Sequence, residues 1–114
     1  MINKKKVKNL FYTNLILFNH DSKFRNHKFL IPRVMNALRK KNLFFLKNIM
    51  KENIYADFSH AEDICRGIIK LISTKKNLDN LIFSSNKATS LNKIIYFIIK
   101  KNKLEINLKI NKYK

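Results

Sequence analysis

Apolar residues fall along the chain in blocks whose spacing predicts alternating strands and helices. Leu10-Phe-Tyr-Thr-Asn-Leu-Ile-Leu-Phe18 is aromatic or aliphatic almost throughout, with Asn14 its one fully polar member. Such a block predicts a buried strand, apolar on both faces. Asn19 to His27 is polar, with turn chemistry, and reads as a loop. Pro32 suits the first turn of a helix, and Ile31, Val34, Met35 and Leu38 follow helical spacing around it. Leu43-Phe-Phe-Leu46 is a short strand candidate and Asn48 to Asn53 a loop. Ser59-His-Ala-Glu62 has the form of a capping box, in which Ser59 accepts from the Glu62 amide and the carboxylate reaches back. Ala61, Ile64, Cys65, Ile68, Leu71 and Ile72 then make one helical face. Leu81-Ile-Phe83 reads as a strand that ends at Ser84-Ser-Asn86. Ser90 opens a last helix with Leu91, Ile94, Ile95, Ile98 and Ile99 inward. Glu105-Ile-Asn-Leu-Lys-Ile110 alternates as a half-exposed strand does. Strand and helix alternate throughout, so the fold class is α/β.

Composition narrows what this framework can do. A single glycine, Gly67, excludes a G-x-G-x-x-G dinucleotide turn and a phosphate-cradling P-loop within these 114 residues. A single cysteine excludes an intramolecular disulfide and any multi-cysteine zinc site. The formal charge of +18 raises the question of a nucleic-acid partner. Its placement argues against a specific one. Lys40-Lys41, Lys75-Lys76 and Lys100-Lys101 each close an apolar-periodic segment, where cations complement a helix dipole. Arginine, the usual base-reading residue, occurs only as Arg25, Arg33, Arg39 and Arg66. Membrane insertion is not expected, because the longest apolar run, Ile94 to Ile99, is bounded by Lys93 and Lys100 and a span needs roughly 18–20 residues. A basic start without an apolar segment behind it, together with a lone thiol, leads to the expectation of a cytoplasmic protein.

The remaining polar residues hold little chemistry by spacing alone. His20, His27, His60 and Cys65 match no zinc pattern, so no metal site is expected. Cys65 lies on the apolar face of its helix, which predicts a buried, inert thiol.

The informative blocks are Leu17-Phe-Asn-His-Asp-Ser22 and, at a distance, Asp57-Phe-Ser-His-Ala-Glu-Asp-Ile64. Together they resemble the carboxyl-terminal half of the nucleotide-sugar dehydratases and epimerases of the extended short-chain dehydrogenase family. The GDP-mannose 4,6-dehydratases are the nearest group: there a strand ends in Leu-Phe-Asn-His-Glu-Ser and a later helix begins Arg-Asp-Trp-Gly-His-Ala-x-Asp. The resemblance runs from about Phe11 to Ile110. It implies a single partial domain over 1–114, with about 10–20 as the last strand of a Rossmann-type sheet with its active-site loop, and about 28–114 as the substrate-binding lobe.

Carried over by position, His20 matches the histidine at the nicotinamide end of NADP, and Arg25 matches a loop arginine on the same cofactor. Asn19 matches an asparagine facing the sugar-nucleotide diphosphate. The family arginine that holds substrate phosphate is Ala56 here. Tyr96 and Lys100 have the Tyr-x-x-x-Lys spacing of the family's catalytic pair, but they follow the substrate segment instead of preceding it, so the match is read as chance. No catalytic residue is therefore assigned. The resemblance implies a fragment of an NADP-dependent lyase that converts GDP-mannose to its 4-keto-6-deoxy product, inactive and without NADP affinity on its own. Its expected partners are a sugar nucleotide and either a separate N-terminal half or further copies of itself. The rival readings are a fragment of another nucleotide-sugar epimerase or dehydratase, and a small basic nucleic-acid binder or decayed gene product.

Overall fold

The computed structural model describes residues 11–108. Strand β1 (Thr13–Leu17) runs into β2 (Asn19–Asp21), and a loop leads to helices α1 (Leu30–Arg39) and α2 (Leu43–Lys51). Strand β3 (Tyr55–His60) and helix α3 (Ala61–Ser73) follow, then β4 (Leu78–Phe83), β5 (Ala88–Ser90) and α4 (Leu91–Lys101). β1 pairs with β4 in parallel, in register from Asn14–Asn80 to Leu17–Phe83. β2, β3 and β5 form a second sheet, parallel between β2 and β3 and antiparallel between β3 and β5. The α/β class is as the pattern predicts, in the form of small sheets.

The core lies among the helices. Val34, Ala37 and Leu38 of α1 meet Leu46 and Met50 of α2, Leu91 and Ile95 of α4, and Leu108. These apolar positions recur at helical spacing, which is why α1 and α4 fall where the periodicity puts them.

Leu43–Leu46 is not a strand but the first turn of α2, and the expected loop from Asn48 is helical as far as Lys51. Asn42 caps this helix, its Oδ1 accepting the Phe45 amide at 3.0 Å. Leu46 and Met50, four residues apart, then both enter the core. Packing at helical spacing outweighs the local strand preference of paired phenylalanines.

The capping box does not form either. β3 pairs with β2 as far as His60, opposite Asp21, so Ser59 stays in the strand and its hydroxyl donates to Asp57 Oδ1 at 3.3 Å. His60 becomes the N-cap of α3, Nδ1 accepting the Glu62 amide at 3.2 Å. Glu62 turns outward to Arg66, 2.6 Å away and one helical turn on.

The face of α3 is also narrower than its sequence suggests. Ile64 is buried and Ile68 and Leu71 half-buried, but Cys65 and Ile72 are exposed, so the expected buried thiol is not observed. Glu105 to Leu108 forms no ladder, though alternate residues still turn inward; Lys109 and Ile110 lie outside the described residues, as does Leu10.

β1 has β4 as its one neighbour among the described residues. Ile16 and Phe18 stand exposed, where the sequence predicts burial on both faces of the first strand, and Ile82 of β4 is exposed beside them. The radius of gyration, 18.9 Å, exceeds the roughly 13 Å of a compact chain of this length.

Candidate functional site

The two sequence blocks lie side by side although almost forty positions separate them. Asn19 pairs with Phe58, His20 with Ser59 and Asp21 with His60. The site forms where the chain leaves β1 and enters β2, at the carboxyl end of a parallel strand, the usual place for ligands in α/β folds.

Turn chemistry then sets the loop. Asp21 Oδ1 accepts the Ser22 amide at 2.9 Å, Ser22 Oγ accepts the Phe24 amide at 3.2 Å, and the Ser22 carbonyl accepts the Arg25 amide at 3.0 Å. Arg25 is thereby folded back, its guanidinium 3.7 Å from the centroid of the Phe29 ring. Its Nε is buried with no hydrogen-bond partner. His20 Nδ1 lies 2.9 Å from the Phe18 carbonyl. A carbonyl can only accept, so Nδ1 carries the proton, and in the neutral ring Nε2 is an acceptor.

Asn19, His20, Arg25, Ala56, Phe29 and Phe58 line one cleft of about 120 Å³. Every position assigned from the family resemblance thus meets in a single place, Ala56 included. Asn19 and Ala56 also border a wider concavity of about 530 Å³, lined further by Tyr55, Asp57, Ser84, Asn86 and Lys87. Asp57 ties its rim together: Oδ1 accepts from Ser59 Oγ, and Oδ2 accepts the Ser85 amide at 2.8 Å.

The loop carrying Ser84, Asn86 and Lys87 is absent from the sequence-based set. Its one local signal is Asn86, which adopts the left-handed conformation at φ 57 and turns the chain back into β5.

Other candidates lie apart. His27 borders a separate groove with Lys28, Arg33 and Asn36. His60 serves as a cap. Tyr96 donates its hydroxyl to the Leu108 carbonyl at 3.1 Å, and neither it nor Lys100 lines these cavities. Among the described residues no three His, Cys, Asp or Glu gather as a metal site, and no helix is long and apolar enough to cross a membrane.

A family model described as GDP-mannose 4,6 dehydratase matches residues 1–114. No curated protein matches the chain.

Proposed function

The chain belongs to the GDP-mannose 4,6-dehydratase family, and from that premise we propose that it forms the substrate-lobe wall of an NADP-dependent nucleotide-sugar 4,6-dehydratase of the GDP-mannose type. The observation that carries this reading is the convergence of Asn19, His20, Arg25 and Ala56 on one cleft.

His20 and Arg25 would hold one end of NADP. They fit it: Arg25 Nε is a buried donor without a partner, and His20 Nε2 is an acceptor suited to an amide N–H. The cleft, about 120 Å³, falls below the roughly 300–1,000 Å³ of sites that enclose a whole small ligand. It can take one end of a dinucleotide and no more. The chemistry NADP supplies when bound is hydride acceptance from the sugar and hydride return. Asn19, between the two cavities, would orient the sugar nucleotide.

The Tyr96–Lys100 pair lines neither cavity, and the Tyr96 hydroxyl donates to the Leu108 carbonyl. The chain's own contribution is binding and orientation. Turnover requires a polypeptide that brings the glycine-rich turn and the catalytic pair, whether a separate cofactor half or the rest of a longer chain.

Saturation-transfer NMR on the full chain tests this. GDP-mannose should receive saturation, and UDP-glucose should not displace it at equal concentration. NADPH should show no binding that survives physiological salt. Absence of any GDP-mannose binding, or tight salt-resistant NADPH binding, would contradict the proposal.

A further inference from the structure

Ala56 stands where the family carries an arginine for substrate phosphate, and the wider concavity shows a candidate to replace it. Resting on the function just proposed, we infer that Lys87 is the cation that contacts the diphosphate of the sugar nucleotide in this chain.

β3 and β5 run antiparallel with Ala56 opposite Thr89 and Asp57 opposite Ala88. Lys87 therefore enters β5 one residue beyond Asp57, on the rim of the cavity that Ala56 lines. The loop is held there from two sides. Asp57 Oδ2 accepts the Ser85 amide at 2.8 Å, and Ser85 Oγ bonds both the Lys87 amide and the Lys87 carbonyl at 3.3 Å.

Charge points to the same residue. Lys87 is the one cation among the residues lining this cavity, and Asp57 the one anion. Both Asp57 oxygens already accept hydrogen bonds. The Lys87 ammonium has no ion-pair partner among the described residues. Among the described residues lining this space, the positive charge that a diphosphate meets is on Lys87.

The exchange has a chemical consequence. An arginine grips phosphate through a planar fork, whereas lysine offers a compact point charge on a flexible stem. Binding through Lys87 should be less geometrically selective and more salt-sensitive than binding through a fork.

The test measures GDP-mannose affinity by saturation-transfer titration of the full chain and its variants, with guanosine as the probe lacking phosphate. Lys87→Ala should weaken GDP-mannose by roughly ten- to hundredfold, the worth of one charged hydrogen bond, and leave guanosine unchanged. Lys87→Arg should retain affinity, and adding Ala56→Arg to Lys87→Ala should restore it. Lys87 is exposed, so amide spectra of these variants should overlay on the parent. Unchanged GDP-mannose affinity in Lys87→Ala overturns the inference and leaves the proposed function standing. A parent that fails to bind GDP-mannose while Ala56→Arg alone binds overturns the inference and the proposed function together. If neither parent nor Ala56→Arg binds GDP-mannose, the proposed function falls and the inference with it.

Discussion

The guanidinium of Arg25 lies 3.7 Å from the centroid of the Phe29 ring, with its Nε buried and unpartnered. Stacking on an aromatic face contributes about 0.5–2 kcal/mol, while a buried donor without a partner costs about 1–3 kcal/mol. The arrangement is therefore poor value for stability and well suited to a ligand acceptor.

Arg25→Leu should accordingly leave the melting temperature unchanged or raise it slightly. In an enzyme reconstituted with a cofactor half, the same variant should raise the KM for NADP. A clear loss of thermal stability, with KM unaffected, would assign Arg25 a structural role instead.

Helix α3 is seated on β4 through Gly67, where a Cβ would lie 2.8 Å from Phe83 Cε2. Gly67→Val should destabilise the chain by about 1–3 kcal/mol, as overpacking does. Phe83→Leu, costly in the parent, should cost less in the Gly67→Val background, because it removes the ring the new side chain strikes. Urea titration of the two single variants and the double variant measures that coupling. Strict additivity would show that the contact is not under strain.

The start of α3 offers a paired test. His60→Ala should cost about 0.5–2 kcal/mol through loss of the cap, and His60→Asp should retain most of that stability. Ser59→Ala should cost less than His60→Ala, since the Ser59 hydroxyl bonds Asp57 and not the helix. The reverse ranking would restore the capping box that the sequence suggests.

These cases show what could be read from sequence. α1, α3 and α4 carry apolar residues at i, i+3 and i+4 over ten or more positions, a signal local context cannot hide. α2 opens with four consecutive apolar residues, Leu43 to Leu46, which suit a strand or a helix equally. Its state is decided by Leu46 and Met50 meeting α1 and α4, contacts distant in sequence. The cap moved from Ser59 to His60 for the same kind of reason, the pairing of β3 with β2. Asn19, His20 and Arg25 were legible because they sit in one short block. The nearness of Lys87 to Ala56 was not, since it arises from an antiparallel pairing across thirty residues.

The exposed face of the β1–β4 pair should make the chain associate. Ile16 and Ile82 are directly paired and both exposed, and apolar sheet faces beside open strand edges are association sites. Ile16→Lys with Ile82→Lys should lower the sedimentation-average mass at high concentration. The same variant should bind a cofactor half less well. Unchanged sedimentation would mean that this face is not a contact surface.

On the proposed function, this chain is a substrate lobe completed by a cofactor-binding half. Hydrogen–deuterium exchange of β1 and β4, with and without the cofactor half of a GDP-mannose 4,6-dehydratase, decides whether it is. Alone, amides of Thr13–Leu17 and Leu78–Phe83 should exchange far faster than those of α4, whose Leu91 and Ile95 are fully buried. With the half present, a stable complex should form and protection at both strands should rise towards that of α4. A monomeric chain that protects β1 and β4 as strongly as α4, and forms no complex, would contradict the claim.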